Sequence, residues 1–238
     1  MKKLAVPVFS VLGAIGFVVS IYLIFMKTGL EYGVDERTGR LAGSSLFFNQ
    51  KIFYFHVAQA IVLFTAVFVA GISSILFLWK RRPAFDDVAS ASTEVAVAFG
   101  AAVLVTGSIW AKAAWDVWWN WEPRLTMSLL LWLILVGYVL VRRFAGPSAD
   151  RVAAGMAIFG MVGVPFIYTM VGADSHPPSG VNGVVLTLGK RLLPAFLASM
   201  FTFFAWFIAL VLTRIQSTRD EREVRELREQ GLDLGVLE

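Results

Sequence analysis

The chain has no cysteine. That excludes disulfides, thiol redox chemistry, thiolate metal sites and any Cys-x-x-Cys-His attachment of a prosthetic group. Charge is also scarce: 16% of the 238 residues are charged, where a soluble domain carries roughly a quarter. Only two histidines occur. No Walker A sequence, Gly-x-Gly-x-x-Gly, His-Glu-x-x-His or Gly-x-Ser-x-Gly is found, so nothing points to nucleotide binding or hydrolysis. No internal repeat is apparent. The net charge of +4 is too modest to suggest nucleic-acid binding and reports membrane topology instead.

What the chain does have is long apolar runs. Hydrophobic residues make up 58% of it, and a membrane span needs about 20 of them in a row. Six spans are expected, at roughly 4–26, 52–79, 90–110, 125–142, 152–172 and 190–213. The third reads as the least hydrophobic, with Glu94 near its start. The first follows Met1-Lys2-Lys3 and is too long for a signal peptide, so it reads as a retained anchor. The fold class is therefore all-α, a polytopic bundle of about six transmembrane helices.

Tight basic clusters, Lys2-Lys3, Lys80-Arg81-Arg82, Arg142-Arg143 with Arg151, and Arg214, fall on one face. The positive-inside rule makes that face, with both termini, cytoplasmic. Residues 1–213 form the membrane domain. Residues 214–238 read as a solvated helical tail, with pairs such as Glu221/Arg225 suiting an exposed helix. Three loops, 27–51, 111–124 and 173–189, fall on the outer face.

The middle loop holds an unusual stretch: Trp110-Ala-Lys-Ala-Ala-Trp115-Asp-Val-Trp118-Trp119-Asn-Trp121-Glu122-Pro-Arg124-Leu-Thr126. Five of the eight tryptophans lie in it. An interfacial aromatic belt also places tryptophan at this depth, but spreads it over many helix ends. Rings concentrated in one loop suit a shelf for a flat apolar ligand or a partner surface.

Both histidines share that membrane face. His56 lies about one turn inside the second span, and His176 just beyond the fifth. Two imidazoles are too few for zinc, which takes three or four protein ligands. They suffice as the two axial ligands of a haem. Lys51 and Arg124, with Lys112, stand at a level where they could pair with propionates, Arg124 through its planar fork. Ordinary snorkelling is the competing reading for these cations. Without cysteine, such a haem b would be held non-covalently and transiently.

Trp115-x-x-Trp118-Trp119-x-Trp121-Glu122-x-Arg124-Leu-Thr126 resembles the WWD signature of the haem-handling proteins of cytochrome c biogenesis. Val105-Thr-Gly-Ser-Ile-Trp110-Ala-Lys112 and Lys51-Ile-Phe-Tyr-Phe-His56-Val fit the same family. Size, six spans and a single such loop are most similar to its cytochrome c maturation protein C branch. Glu122 stands where the signature usually has Asp, and Ala111 where it usually has Gly. The resemblance implies axial ligation by His56 and His176 beside the WWD loop. It further implies an extracytoplasmic site in a bacterial or archaeal inner membrane and delivery to a periplasmic haem chaperone. Implied partners are that chaperone, a small single-span subunit and ATP-binding-cassette exporter subunits. Such a protein is a transfer scaffold, not an enzyme.

Two alternatives remain on the sequence. One is a component of a synthase that joins haem directly to apocytochrome c, since such proteins share the loop. The other is a transporter or a b-type cytochrome membrane subunit. Transporters favour helices broken at mid-membrane, and this chain places no histidine pair deep in a span.

Overall fold

A computed structural model of the chain describes residues 2–28, 33–34, 41–42, 46–145, 149–169 and 192–233. The elements are α1 (Lys2–Tyr22, continued by a π turn, Leu23–Lys27), α2 (Leu46–Lys80), α3 (Pro83–Trp115), α4 (Pro123–Phe144), α5 (Ala149–Thr169) and α6 (Leu193–Asp233). A two-residue antiparallel pair, Gly33–Val34 with Leu41–Ala42, is the only strand structure among the described residues. Apart from that pair and short connections, the described residues are helical. Among the described residues, six helices are long and apolar enough to cross a membrane: Leu4–Lys27, Lys51–Lys80, Pro83–Ala113, Pro123–Phe144, Ala149–Ile167 and Leu193–Val224.

The number of spans agrees with the sequence; several boundaries do not. α3 begins at Pro83, seven residues before the expected 90, so the turn after α2 shrinks to Arg81 and Arg82. Proline suits a first helical position because its missing N–H has no partner to lose there. The acidic residues of this segment are paired with arginines of other elements. Arg142 of α4 donates to both oxygens of Asp86, at 2.7 and 2.9 Å. Arg219 and Arg222 of α6 reach Asp87, and Arg214 reaches Glu94. Glu94 is accordingly in the second third of α3, not near its start.

The fifth span, with mean hydropathy 1.4, is less hydrophobic than the third, at 1.8. α6 runs unbroken from the sixth span to Asp233, about 60 Å at 1.5 Å per residue. That is about twice the hydrocarbon thickness of a bilayer. Glu221 pairs with Arg214 at 2.9 Å; the expected Glu221/Arg225 pair involves a side chain, that of Arg225, outside the described residues.

The bundle is organised in two close pairings, α2 along α3 and α1 along α6, with α4 and α5 beside them. Apolar helices attract one another weakly in lipid, so close approach of small residues matters. At Gly13 a Cβ would fall 2.2 Å from the Trp206 ring, and Ser20 and Thr202 meet hydroxyl to hydroxyl at 3.2 Å. Val62, Ala66, Val67, Ala96, Leu131, Leu135, Ile167 and Phe203 fill the centre, where α2–α6 converge.

Candidate functional site

His56 faces α3 from the eleventh position of α2. Three α3 residues within one turn receive it: Thr106, Gly107 and Trp110. The imidazole Nδ1 lies 2.9 Å from Thr106 Oγ1, and that hydroxyl donates to the Ala102 carbonyl at 2.7 Å. The ring lies against Gly107, where a Cβ would come within 3.1 Å of Cε1. The Trp110 ring stands edge-on at 5.5 Å between centroids and 88° between planes. Thr106 and Gly107 stand four and three positions before Trp110, and residues at those spacings are neighbours on a helix surface, which is why a single turn can hold one ring.

Beside the imidazole is a cleft between α2, α3 and α4. Its walls are Leu63 and Phe64, Val103, Leu104 and Trp110, then Trp119, and then Arg124, Ser128 and Trp132. Trp132 is anchored by its Nε1–H to the Val97 carbonyl at 2.9 Å and rests on Gly100, where a Cβ would fall 2.5 Å from its ring. The cavity within this cleft is about 90 Å³ and is partly open to its surroundings. Trp119 is part of the wall. Its Nε1 is buried and has no acceptor among the described residues, and its ring meets Trp121 at 6.0 Å and 74°.

The expected site residues divide clearly. His56, Trp119 and Arg124 line one cleft. Trp118 and Trp121 belong to the same connection but are exposed, 62% and 73%. Glu122 occupies the N-cap position of α4 with Pro123 behind it, and its carbonyl accepts the Thr126 N–H at 3.0 Å. A carboxylate there complements the positive end of the helix. Trp115 ends α3, with its side chain outside the described residues; His176 lies outside them altogether.

Lys51 is not in the cleft. It is 3% exposed, and its ammonium donates to the carbonyls of Ile24 and Thr28 and to the Thr28 hydroxyl. It thereby ties the start of the second span to the end of the first, satisfying carbonyls that a helix terminus leaves open. Lys112 is likewise engaged, with the Asp116 carboxylate and carbonyl. Asp116 follows the last turn of α3 in the left-handed conformation, φ 60°. The hydrogen bond and charge of Lys112 hold the Asp116 carboxyl below its ordinary value.

Thr106, Gly107, Ser128 and Trp132 were not singled out from the sequence as site residues. The available signal was Thr106-Gly107-x-x-Trp110, one helix face ending in the first tryptophan of the rich stretch.

Fold and site together define a multi-pass helical membrane protein with a histidine set into an aromatic cleft, suited to a flat, largely apolar ligand with a polar edge. The family model described as heme exporter protein C matches residues 2–230, and the chain belongs to that family. It is 33% identical over 186 residues to the heme exporter protein C of Bradyrhizobium diazoefficiens, covering 74% of this chain and 69% of that one. It is 30% identical over 208 residues to that of Paracoccus denitrificans, covering 84% and 83%. A putative cytochrome c biosynthesis ccmC-like mitochondrial protein of Marchantia polymorpha is 31% identical over 167 residues, 69% and 72% of the two chains. Membership places this protein in haem handling for cytochrome c biogenesis.

Proposed function

We propose that this protein holds haem b non-covalently beside His56 and passes it to a periplasmic haem chaperone. The observation that carries the reading is the cleft itself. It places an imidazole, a tryptophan face, a buried indole N–H and an arginine around one apolar space. Each part suits a different portion of haem. The imidazole suits the iron, the Trp119 and Trp110 rings suit the porphyrin, and Arg124 suits a propionate through its planar fork. Bound haem would supply the iron and the flat apolar surface; the protein's part is to ligate, orient and release it.

His176, the chain's other histidine, is proposed as the second axial ligand. The remaining WWD tryptophans, Trp115, Trp118 and Trp121, with Glu122, are proposed to flank the exposed haem edge and the acceptor. With Lys51 and Lys112 engaged at helix ends, Arg124 is the propionate partner in this reading. The protein is a transfer scaffold, with the covalent chemistry belonging to the acceptor.

The six-span unit, residues 1–213, carries the site on the extracytoplasmic side of the inner membrane. The charged arm, 214–238, and both termini are cytoplasmic, as the basic clusters argue. Proposed partners are the chaperone, a small single-span subunit and ATP-binding-cassette exporter subunits.

The test is an absorption spectrum of detergent-purified, haem-loaded protein, oxidised and then reduced, beside the His56→Ala/His176→Ala double variant. A low-spin spectrum that shifts on reduction and disappears in the variant is expected. Unchanged haem content in the double variant would sink the proposal.

A further inference from the structure

We infer that Thr106 is a positioning residue, which selects the nitrogen that His56 presents to its ligand. The inference rests on the haem reading only for its second half; the first half concerns the protein alone. Thr106 has one hydroxyl proton. Its Oγ1 lies 2.7 Å from the Ala102 carbonyl oxygen, which can only accept, and 3.2 Å from that of Val103. With the proton committed to its own helix, Thr106 Oγ1 meets the imidazole as an acceptor. Nδ1 at 2.9 Å must therefore carry the ring proton, and the in-plane lone pair belongs to Nε2.

The direction of this chain, Nδ1–H to hydroxyl to carbonyl, polarises each link. It supplies from a neutral hydroxyl what a carboxylate or carbonyl supplies to many metal-bound histidines. The hydrogen bond then makes Nε2 a stronger donor to ferric iron. Neutrality also suits the setting, because a carboxylate at this depth would be costly.

Gly107 and Trp110 complete the arrangement. Gly107 lets the ring approach α3 closely enough for the 2.9 Å bond, since a Cβ would stand 3.1 Å from Cε1. Trp110 blocks one flank edge-on. One turn of α3 therefore sets the height, tilt and tautomer of the imidazole together.

Two measurements separate this inference from the haem reading. The first uses haem-free protein carrying His176→Ala and ¹⁵N-labelled histidine, so that His56 is the only signal. The expected spectrum is that of an imidazole protonated at Nδ1. Thr106→Val, which keeps the shape and removes the acceptor, shifts it toward the Nε2–H form or a mixture, and Thr106→Ser restores it. A tautomer unchanged in Thr106→Val overturns the inference.

The second uses the full chain loaded with haem. Thr106→Val raises the reduction potential and weakens haem binding by about 10–100-fold, as loss of such a partner does at other metal sites. Thr106→Ser reverts both. If the tautomer shifts while the potential and affinity stay at wild-type values, Thr106 sets the tautomer but His56 is not the iron ligand, and the haem reading fails instead. Gly107→Val, which displaces the ring while keeping Thr106, is expected to match the loss in Thr106→Val. Wild-type affinity in Gly107→Val would remove the close approach from the argument.

Discussion

At one end of α3, Thr106, Gly107 and Trp110 surround a single imidazole and leave an apolar cleft beside it. Toward the other end, Asp86 and Asp87 near the start of α3 and Glu94 at the beginning of its second third are each met by arginine from α4 or α6. The arginine end ties four helices together, because Arg142 also reaches Asp150 of α5 at 3.4 Å. Charges near a membrane are costly unless paired, and here each carboxylate of α3 has its cation. The histidine end keeps a buried donor, Trp119 Nε1, without an acceptor among the described residues. A helix can thus be anchored where its polar groups are matched and receptive where one remains to be satisfied.

The contrast can be broken most strongly at the arginine end. Asp86→Ala leaves the Arg142 side chain, 18% exposed, with Asp150 as its one carboxylate among the described residues, beside the Tyr138 ring. Removing one partner of a buried pair costs roughly 3–5 kcal/mol, so the variant should unfold at clearly lower temperature in detergent. A wild-type melting curve would show that the clamp does not hold the bundle. Haem loading of the folded fraction is expected to remain, since Asp86 is far along α3 from His56.

A smaller effect is expected at the histidine end from two tryptophans adjacent in sequence. Trp119→Ala removes a cleft wall and the buried N–H and should weaken haem binding about tenfold, about 1.4 kcal/mol. Trp118→Ala, at a 62% exposed position, should leave haem affinity within about twofold, consistent with the small effect of most peripheral contacts. A haem titration of both variants decides the point. Equal losses would mean that the loop acts as a whole and that cleft-lining position does not matter.

The smallest effect is expected where α3 ends. Lys112 holds the Asp116 carboxyl below its ordinary value. The folded form therefore gains from this pair above the unfolded carboxyl pKa, near 4, and loses the gain as pH falls through the lowered folded value. Amide protection over residues 113–116, taken relative to the intrinsic exchange rate at each pH, should hold from neutral pH down to about 4 and fall below it. In Asp116→Asn the protection should be lower at neutral pH and change little on acidification. Identical profiles would remove any role for the pair in closing the helix.

Much of the site was legible because it is concentrated in sequence. Five tryptophans within residues 110–121 and a histidine set in a long apolar run mark one face of the membrane without any structure. What sequence could not supply was direction. Trp118 and Trp119 are neighbours, yet one is exposed and the other walls the cleft, because successive residues of an irregular connection point differently. Lys51 reads as a cation available to a ligand, but its ammonium is spent on the Ile24 and Thr28 carbonyls of a helix distant in sequence. His176 and the 173–189 loop lie outside the described residues, so that half of the expected site remains a proposal.

The fold divides in the same way. Long apolar runs determined by themselves that the chain forms six membrane-length helices, because backbone polar groups in hydrocarbon must be satisfied within the segment. Composition determined equally that disulfides and thiolate chemistry are absent. Tertiary structure decided how Asp86 and Asp87, near the start of α3, are paired, because Arg142, Arg219 and Arg222 come to them from α4 and α6. It decided, too, that α6 continues to Asp233, with Arg214, Arg219 and Arg222 held against α3. The tertiary structure alone set an imidazole of α2 against Thr106 of α3, fifty residues away: a run of apolar residues specifies a helix, but only packing specifies which side chains meet.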